Sequence, residues 1–241
     1  MKGFFLKNCT LLFLLWLPYL SYAEGIQISP VRVYIEPGEL NSSFTIYNRS
    51  DEPVLFQLKA VKWHQKAGED IYSDTHDIII NPPIMNIGPD SYQLFRVGLR
   101  NPLPANNEHF YRIFATQVAT KKNTVIKNQI QTLLEFNIPV FILPKEEQKD
   151  LIVELRKIKD QLELRIANES NVHIQIAQID IYPDKNKLET PLYSQDTFVY
   201  LLPKQEKTWD LPWNKPKDMD DLALKLRTDW GDILETLRVA P

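Results

Sequence analysis

The stretch from Thr124 to Pro144, TVIKNQIQTLLEFNIPVFILP, constrains this chain more than any other. Side chains alternate between the two faces of an extended strand, so Ile126, Asn128, Ile130, Thr132, Leu134, Phe136 and Ile138 share one face. Five of those seven are large and apolar, whereas Lys127, Gln129, Gln131, Glu135 and Asn137 make the other phase mostly polar. This period of two predicts a strand with one apolar side. At about 3.3 Å per residue, about fifteen residues reach roughly 50 Å, well past the usual strand of about 5 or 6 residues. Such a strand either crosses a large sheet or overhangs its own and offers an apolar edge to a partner.

Lys2 and Lys7, the apolar run Leu11 to Leu17 and the small-x-small triplet Ser21-Tyr22-Ala23 predict a secretory signal peptide over residues 1–23, cleaved after Ala23. The apolar run is shorter than the ~20 residues of a spanning helix, and Pro18 follows it. Cys9, the one cysteine, falls inside that leader, so the remaining 218 residues must hold their fold by core packing without disulfides. They keep 26 of the 28 basic residues and all 31 acidic ones, a net charge of −5 that argues against a nucleic-acid partner.

Turn-punctuated β-rich runs fill residues 24–144. Ile26 to Ile35 is interrupted by Pro30, Phe44 to Asn48 runs into the polar turn Asn48 to Pro53, and Val54 to Trp63 carries Val54, Phe56, Leu58 and Ala60 on one face with Val61 and Trp63 on the other. Ile78 to Ile80, Tyr92 to Leu99 and His109 to Ala119 precede the long strand. Seven or eight short strands in this length predict a β-sandwich. The charged run 145–149 reads as a linker, and residues 150–241 as a second, smaller sandwich with strands at Ile152 to Leu155, Leu162 to Ala167, Ile174 to Tyr182, Phe198 to Leu202 and Leu222 to Leu226. Asn168-Glu169-Ser170-Asn171 follows its strand as Asn48 to Asp51 follows its own.

Reactive chemistry finds little purchase. His64, His76, His109 and His173 are scattered without ligand spacing and read as surface or loop histidines. Seven glycines leave no GxGxxG, P-loop or GxSxG pattern. Asp218, Asp220, Asp221, Asp229 and Asp232 lack the EF-hand spacing and read as solvated loops. No catalytic residue, metal site or cofactor is expected.

In order and in motif, the chain resembles the periplasmic pilus (fimbrial) chaperones of the chaperone-usher pathway. The resemblance rests on Ile28-Ser29-Pro30-Val31-Arg32-Val33-Tyr34, on Asn48 to Pro53 with Phe56-Gln57 and Trp63, on Pro82-Pro83 ahead of Gly88-Pro89 and Phe95-Arg96-Val97, on Tyr111-Arg112-Ile113-Phe114, and on Ile138 to Pro144. It implies an all-β fold of two immunoglobulin-like domains set in an L, working in the periplasm. It also implies donor-strand complementation, in which Ile126, Ile130, Thr132 and Leu134 fill the groove of an incomplete pilus subunit that is then delivered to an outer-membrane usher. Phe136 and Ile138 are expected nearer the home core. Self-association of the free form is one way to cover an open apolar edge.

The better-known branch grips the subunit carboxylate with an Arg on the first strand and a Lys late in the seventh. Arg32 matches the first, but Pro139 stands at the second, with Asn137 and Glu135 nearby. The archaic, Csu-like branch uses arginines on other strands of the same sheet, which points to Arg96 and Arg112, with Arg32 third. The residues by themselves also fit a secreted two-domain adhesin or binding module that keeps the strand in its own sheet and works through its loops.

Overall fold

The computed structural model describes residues 25–119, 132–158, 161–212 and 221–238. The expected leader and the expected donor positions Ile126 and Ile130 lie outside the described residues. Alternation of apolar and polar residues gives seventeen strands and no helix among the described residues. The first ten are β1 (Ile26–Ser29), β2 (Val33–Ile35), β3 (Asn41–Asn48), β4 (Val54–Lys66), β5 (Glu69–Asp74), β6 (Ile78–Asn81), β7 (Ile84–Ile87), β8 (Ser91–Leu99), β9 (His109–Val118) and β10 (Glu135–Ile142). They form one sheet in the order β1-β3-β8-β6 and a second in the order β2-β10-β9-β4-β5, with β7 also on β4.

Proline lacks the amide that a ladder needs. The run Ile26 to Ile35 therefore parts at Pro30: β1 pairs antiparallel with β3, while β2 pairs parallel with β10 in the other sheet. Inward-facing Phe44, Ile46, Phe95 and Val97 of the first sheet meet Phe56, Tyr111, Ile113, Ile138 and Val140 of the second in one core, with Phe136 against it. Stacking of Phe44 on Phe95, centroids 5.4 Å apart, ties neighbouring strands inside it. The expected home side of the long strand, Phe136 and Ile138, thus lies in or against the core.

The remaining strands are β11 (Leu151–Ile158), β12 (Gln161–Asn168), β13 (Ile174–Tyr182), β14 (Tyr193–Leu201), β15 (Glu206–Pro212), β16 (Asp221–Thr228) and β17 (Gly231–Arg238). They make the sheets β11-β12-β15 and β14-β13-β16-β17, closed over Leu164, Ile166, Ile176, Ile181, Leu224 and Leu226. Strands β5, β15 and β17 are rich in charged residues and β7 is only four residues long; all four are held by their neighbours' ladders.

The two asparagine turns prove to be one device used twice. Asn48 is fully buried; its amide donates to the carbonyls of Glu52, Ile87 and Gly88 at 2.7, 3.1 and 2.9 Å, and its Oδ1 accepts from Ser50 N at 3.1 Å. Asn168, also fully buried, donates to the carbonyls of Val172 and Leu201 at 2.9 and 2.8 Å and accepts from Ser170 N at 3.1 Å and from the Ser170 hydroxyl. Each turn leaves a strand while the asparagine amide supplies donors that the turn backbone cannot.

The expected linker is tied down. Lys145 N donates to Ala105 O at 2.9 Å, Gln148 N to Asn171 Oδ1 at 2.8 Å, and Asn171 N to Gln148 O at 3.2 Å.

Candidate functional site

Strand β9 is apolar in both phases. Tyr111, Ile113 and Ala115 enter the first core, which turns Phe110, Arg112 and Phe114 to the outer face of the sheet. An outer face is normally wet, but here Trp63 of β4, Phe141 of β10 and Leu202 beyond β14 form a third apolar cluster that joins the two sandwiches, with Phe110, Leu143 and Tyr200 against it. Arg112 is trapped in that junction, only 7% exposed. Its guanidinium carbon lies 3.7 Å over Trp63 and 5.2 Å from the Tyr200 centroid, and its Nε has no hydrogen-bond partner. Burial pulls its pKa down.

Arg32, between β1 and β2, enters the same junction. It lies 5.7 Å from Tyr200, its Nη1 is 3.6 Å from Asp229 Oδ2, and its Nη2 donates to Gln175 Oε1. Asp229 in turn faces His173, whose Nε2 is 3.3 Å from Asp229 Oδ2. On its other side the imidazole Nδ1 and backbone N of His173 bond Glu108 at 2.8 and 2.6 Å, and the ring stacks on Phe141 at 3.7 Å. Burial alone lowers the pKa of His173, but the Asp229 and Glu108 carboxylates on either side of the ring outweigh it and the net shift is upward. Expected as surface or loop groups, His173 is buried and Asp229 is paired and largely covered. The correction has one cause: the second sandwich lays this turn against the loop that leads into β9.

Arg96 is also corrected. Expected beside the long strand, it lies instead on β8 in the opposite sheet, opposite Ser43 and Asn81, with its side chain exposed. Its phase, alternating with buried Phe95 and Val97, points it to solvent. Arg112 and Arg32 are brought together; Arg96 is not. The residues that sequence reasoning missed, Tyr200, Gln65, Glu108 and His173, come from segments without a shared pattern. One signal was available: apolar residues in both phases of β9 marked a strand covered on both faces.

Beside this junction the sheet is incomplete. β10 pairs with β9 from Glu135 to Ile142, but with β2 only from Val140 to Ile142, so the other edge of Glu135 to Pro139 is unpaired among the described residues. Leu134, 39% exposed, and Thr132 lead into that edge without joining the ladder, although Leu134 O accepts from Gln117 N at 2.8 Å.

These features define a class: a two-sandwich, immunoglobulin-like protein with a buried charged site at the junction. Within it the chain belongs to the pilus chaperone family, because residues 25–148 match the family described as pili and flagellar-assembly chaperone, PapD N-terminal domain. The chaperone protein LpfB of Salmonella typhimurium is 27% identical over 142 residues, 58% of this chain and 58% of that protein's own length. Among solved structures, a chain of the CsuC–CsuE chaperone-tip adhesion subunit complex from the archaic Csu pili of Acinetobacter baumannii is similar with TM-score 0.64 and 17% identity, over 90% of this chain and 100% of that one. A chain of the Salmonella enterica SafA pilin–SafB chaperone complex is similar with TM-score 0.61 and 13% identity, over 92% and 98%. The fold is shared with both.

Proposed function

We propose that this protein is a periplasmic chaperone of the archaic type, which pairs the open edge of β10 and the residues before it with an incomplete pilus subunit and passes that subunit to an outer-membrane usher. On this reading residues 1–23 are its export leader, removed after Ala23, and residues 145–149 divide its two domains. Ile126, Ile130, Thr132 and Leu134 enter the subunit groove; burying three such apolar side chains contributes about 5 to 9 kcal/mol before ordering costs. The subunit's terminal carboxylate binds Arg112, with Arg32 as second donor, and Arg96 is left out of the anchor.

One observation carries this reading: Arg112 is a buried guanidinium with no ion pair among the described residues, opposite Pro139 on the strand whose edge is open. A buried charge without a counter-charge is costly, and its planar fork fits a carboxylate. Co-expression with a pilus subunit from the same genome and affinity purification is the test. A one-to-one complex is expected, with recovery reduced by Ile130→Glu, Leu134→Glu and Arg112→Ala. Unchanged recovery from all three variants refutes the reading.

A further inference from the structure

The anion site at the junction is made by both sandwiches, and one ring of the second sandwich lies against both of its arginines. Tyr200, near the end of β14, touches both arginines: the guanidinium carbons of Arg112 and Arg32 lie 5.2 and 5.7 Å from its centroid. The ring also meets Trp63 edge-on at 5.5 Å, so Arg112 has one aromatic wall from each sandwich. The electron-rich face of an aromatic ring attracts a cation without consuming a hydrogen-bond donor. Tyr200 thereby lies against both cations without consuming the N–H groups of Arg112, which an anion would use.

What fixes the ring is equally specific. The side-chain amide of Gln65, on β4, donates to Tyr200 O at 2.8 Å and accepts from Leu202 N at 2.9 Å. Those are the two backbone groups through which an extended segment offers a donor and an acceptor on one side, so Gln65 acts as one rung of a ladder between the sandwiches. Leu202 is buried in the cluster with Trp63 and Phe141, which anchors the same segment from its apolar side. Arg32 is likewise held by second-sandwich groups, Asp229 and Gln175.

We infer that Tyr200 is a positioning residue of the carboxylate site, held by the Gln65 catch, so that the site is complete only while the sandwiches are docked and a bound carboxylate in turn strengthens docking. This rests on the reading of Arg112 and Arg32 as the carboxylate anchor. If carboxylate binding depends on docking, docking depends on the carboxylate by the same factor.

The test uses the full mature chain and a ten-residue alternating Val/Thr peptide, prepared with a free C-terminal carboxylate and as the C-terminal amide. The ratio of the two affinities isolates the anion site from strand pairing. The wild-type protein is expected to prefer the acid by about tenfold or more. Tyr200→Ala and Gln65→Ala are expected to narrow that preference several-fold by weakening acid binding, with amide binding unchanged, and Tyr200→Phe, which keeps the ring, to restore it. Gln65→Ala leaves the ring and both guanidiniums in place and so stands by itself if Tyr200→Ala fails to fold. Hydrogen exchange at Leu202 is expected to slow on adding the acid but not the amide. No acid preference in the wild type overturns the anchor reading and this inference with it. A wild-type preference that survives both Tyr200→Ala and Gln65→Ala, including where both peptides weaken equally, overturns the positioning role alone.

Discussion

Replacing Arg112 with methionine is expected to cost carboxylate binding far more than stability. In the free protein the guanidinium is buried without an ion pair among the described residues, its Nε unsatisfied. Exchanging an uncompensated buried charge for a well-packed apolar group of similar volume is neutral to stabilising by about 1 to 4 kcal/mol. Against this stands the loss of the Trp63 contact at 3.7 Å, a desolvated cation–π pair worth about 2 kcal/mol. The balance lies between about −2 and +2 kcal/mol, a melting temperature within about 8 °C of wild type at roughly 2 to 4 °C per kcal/mol. Binding behaves otherwise: losing one member of a buried charge pair costs about 2 to 5 kcal/mol, or roughly 30- to 4000-fold in affinity for a terminal carboxylate. Differential scanning calorimetry of the free variant and titration with acid and amide peptides measure the two effects. A melting temperature lowered by more than about 8 °C, with acid binding retained, refutes the reasoning, because Arg112 is then a compensated structural group rather than a site awaiting an anion.

His173 provides a pH signature. Its pKa is raised in the folded state by Asp229 and Glu108 against the opposing effect of burial. A raised folded pKa means that the stabilisation is complete below the unfolded value of about 6.5 and is lost as pH rises through the folded pKa. Urea unfolding is therefore expected to show stability declining from mildly acidic to mildly alkaline pH, with a flatter profile in His173→Gln; an equally steep profile in the variant counts against this pairing. The two asparagine turns are expected to be comparably important: Asn48→Ala or Asn168→Ala removes several buried hydrogen bonds, at about 2 to 4 kcal/mol each site. Asn168→Asp is expected to be at least as damaging as Asn168→Ala, since a carboxylate has no donor for the Val172 and Leu201 carbonyls. Denaturant midpoints decide, and an alanine variant within about 0.5 kcal/mol of wild type shows the turn to be incidental.

Period-two patterning is a local property of an extended chain, so most strands that carry it are legible in the amino-acid sequence alone. β3, β8, β9 and β13 lie within a few residues of their expected places, and the phase that sends Ile138 and Val140 inward follows from alternation alone. Even the likeness of the turns at Asn48 and Asn168 is visible there, although their amide bonds to distant carbonyls are not. The strands that escape are short, as β7 is, or rich in charge, as β5, β15 and β17 are, and each is held by a neighbour's ladder.

The stretch Thr124 to Pro144 announces an unusual strand by its residues alone, and its described part, β10, has the open edge beside Pro139. What surrounds that edge is decided only by tertiary structure. Arg96 and Arg112 look alike in sequence, each an arginine within an apolar strand. The packing of the second sandwich on one face of one sheet buries Arg112 under Trp63 and Tyr200 and leaves Arg96 in water on the other. Alternation tells which face a side chain takes; whether that face meets solvent or another sandwich depends on contacts between residues far apart in the chain.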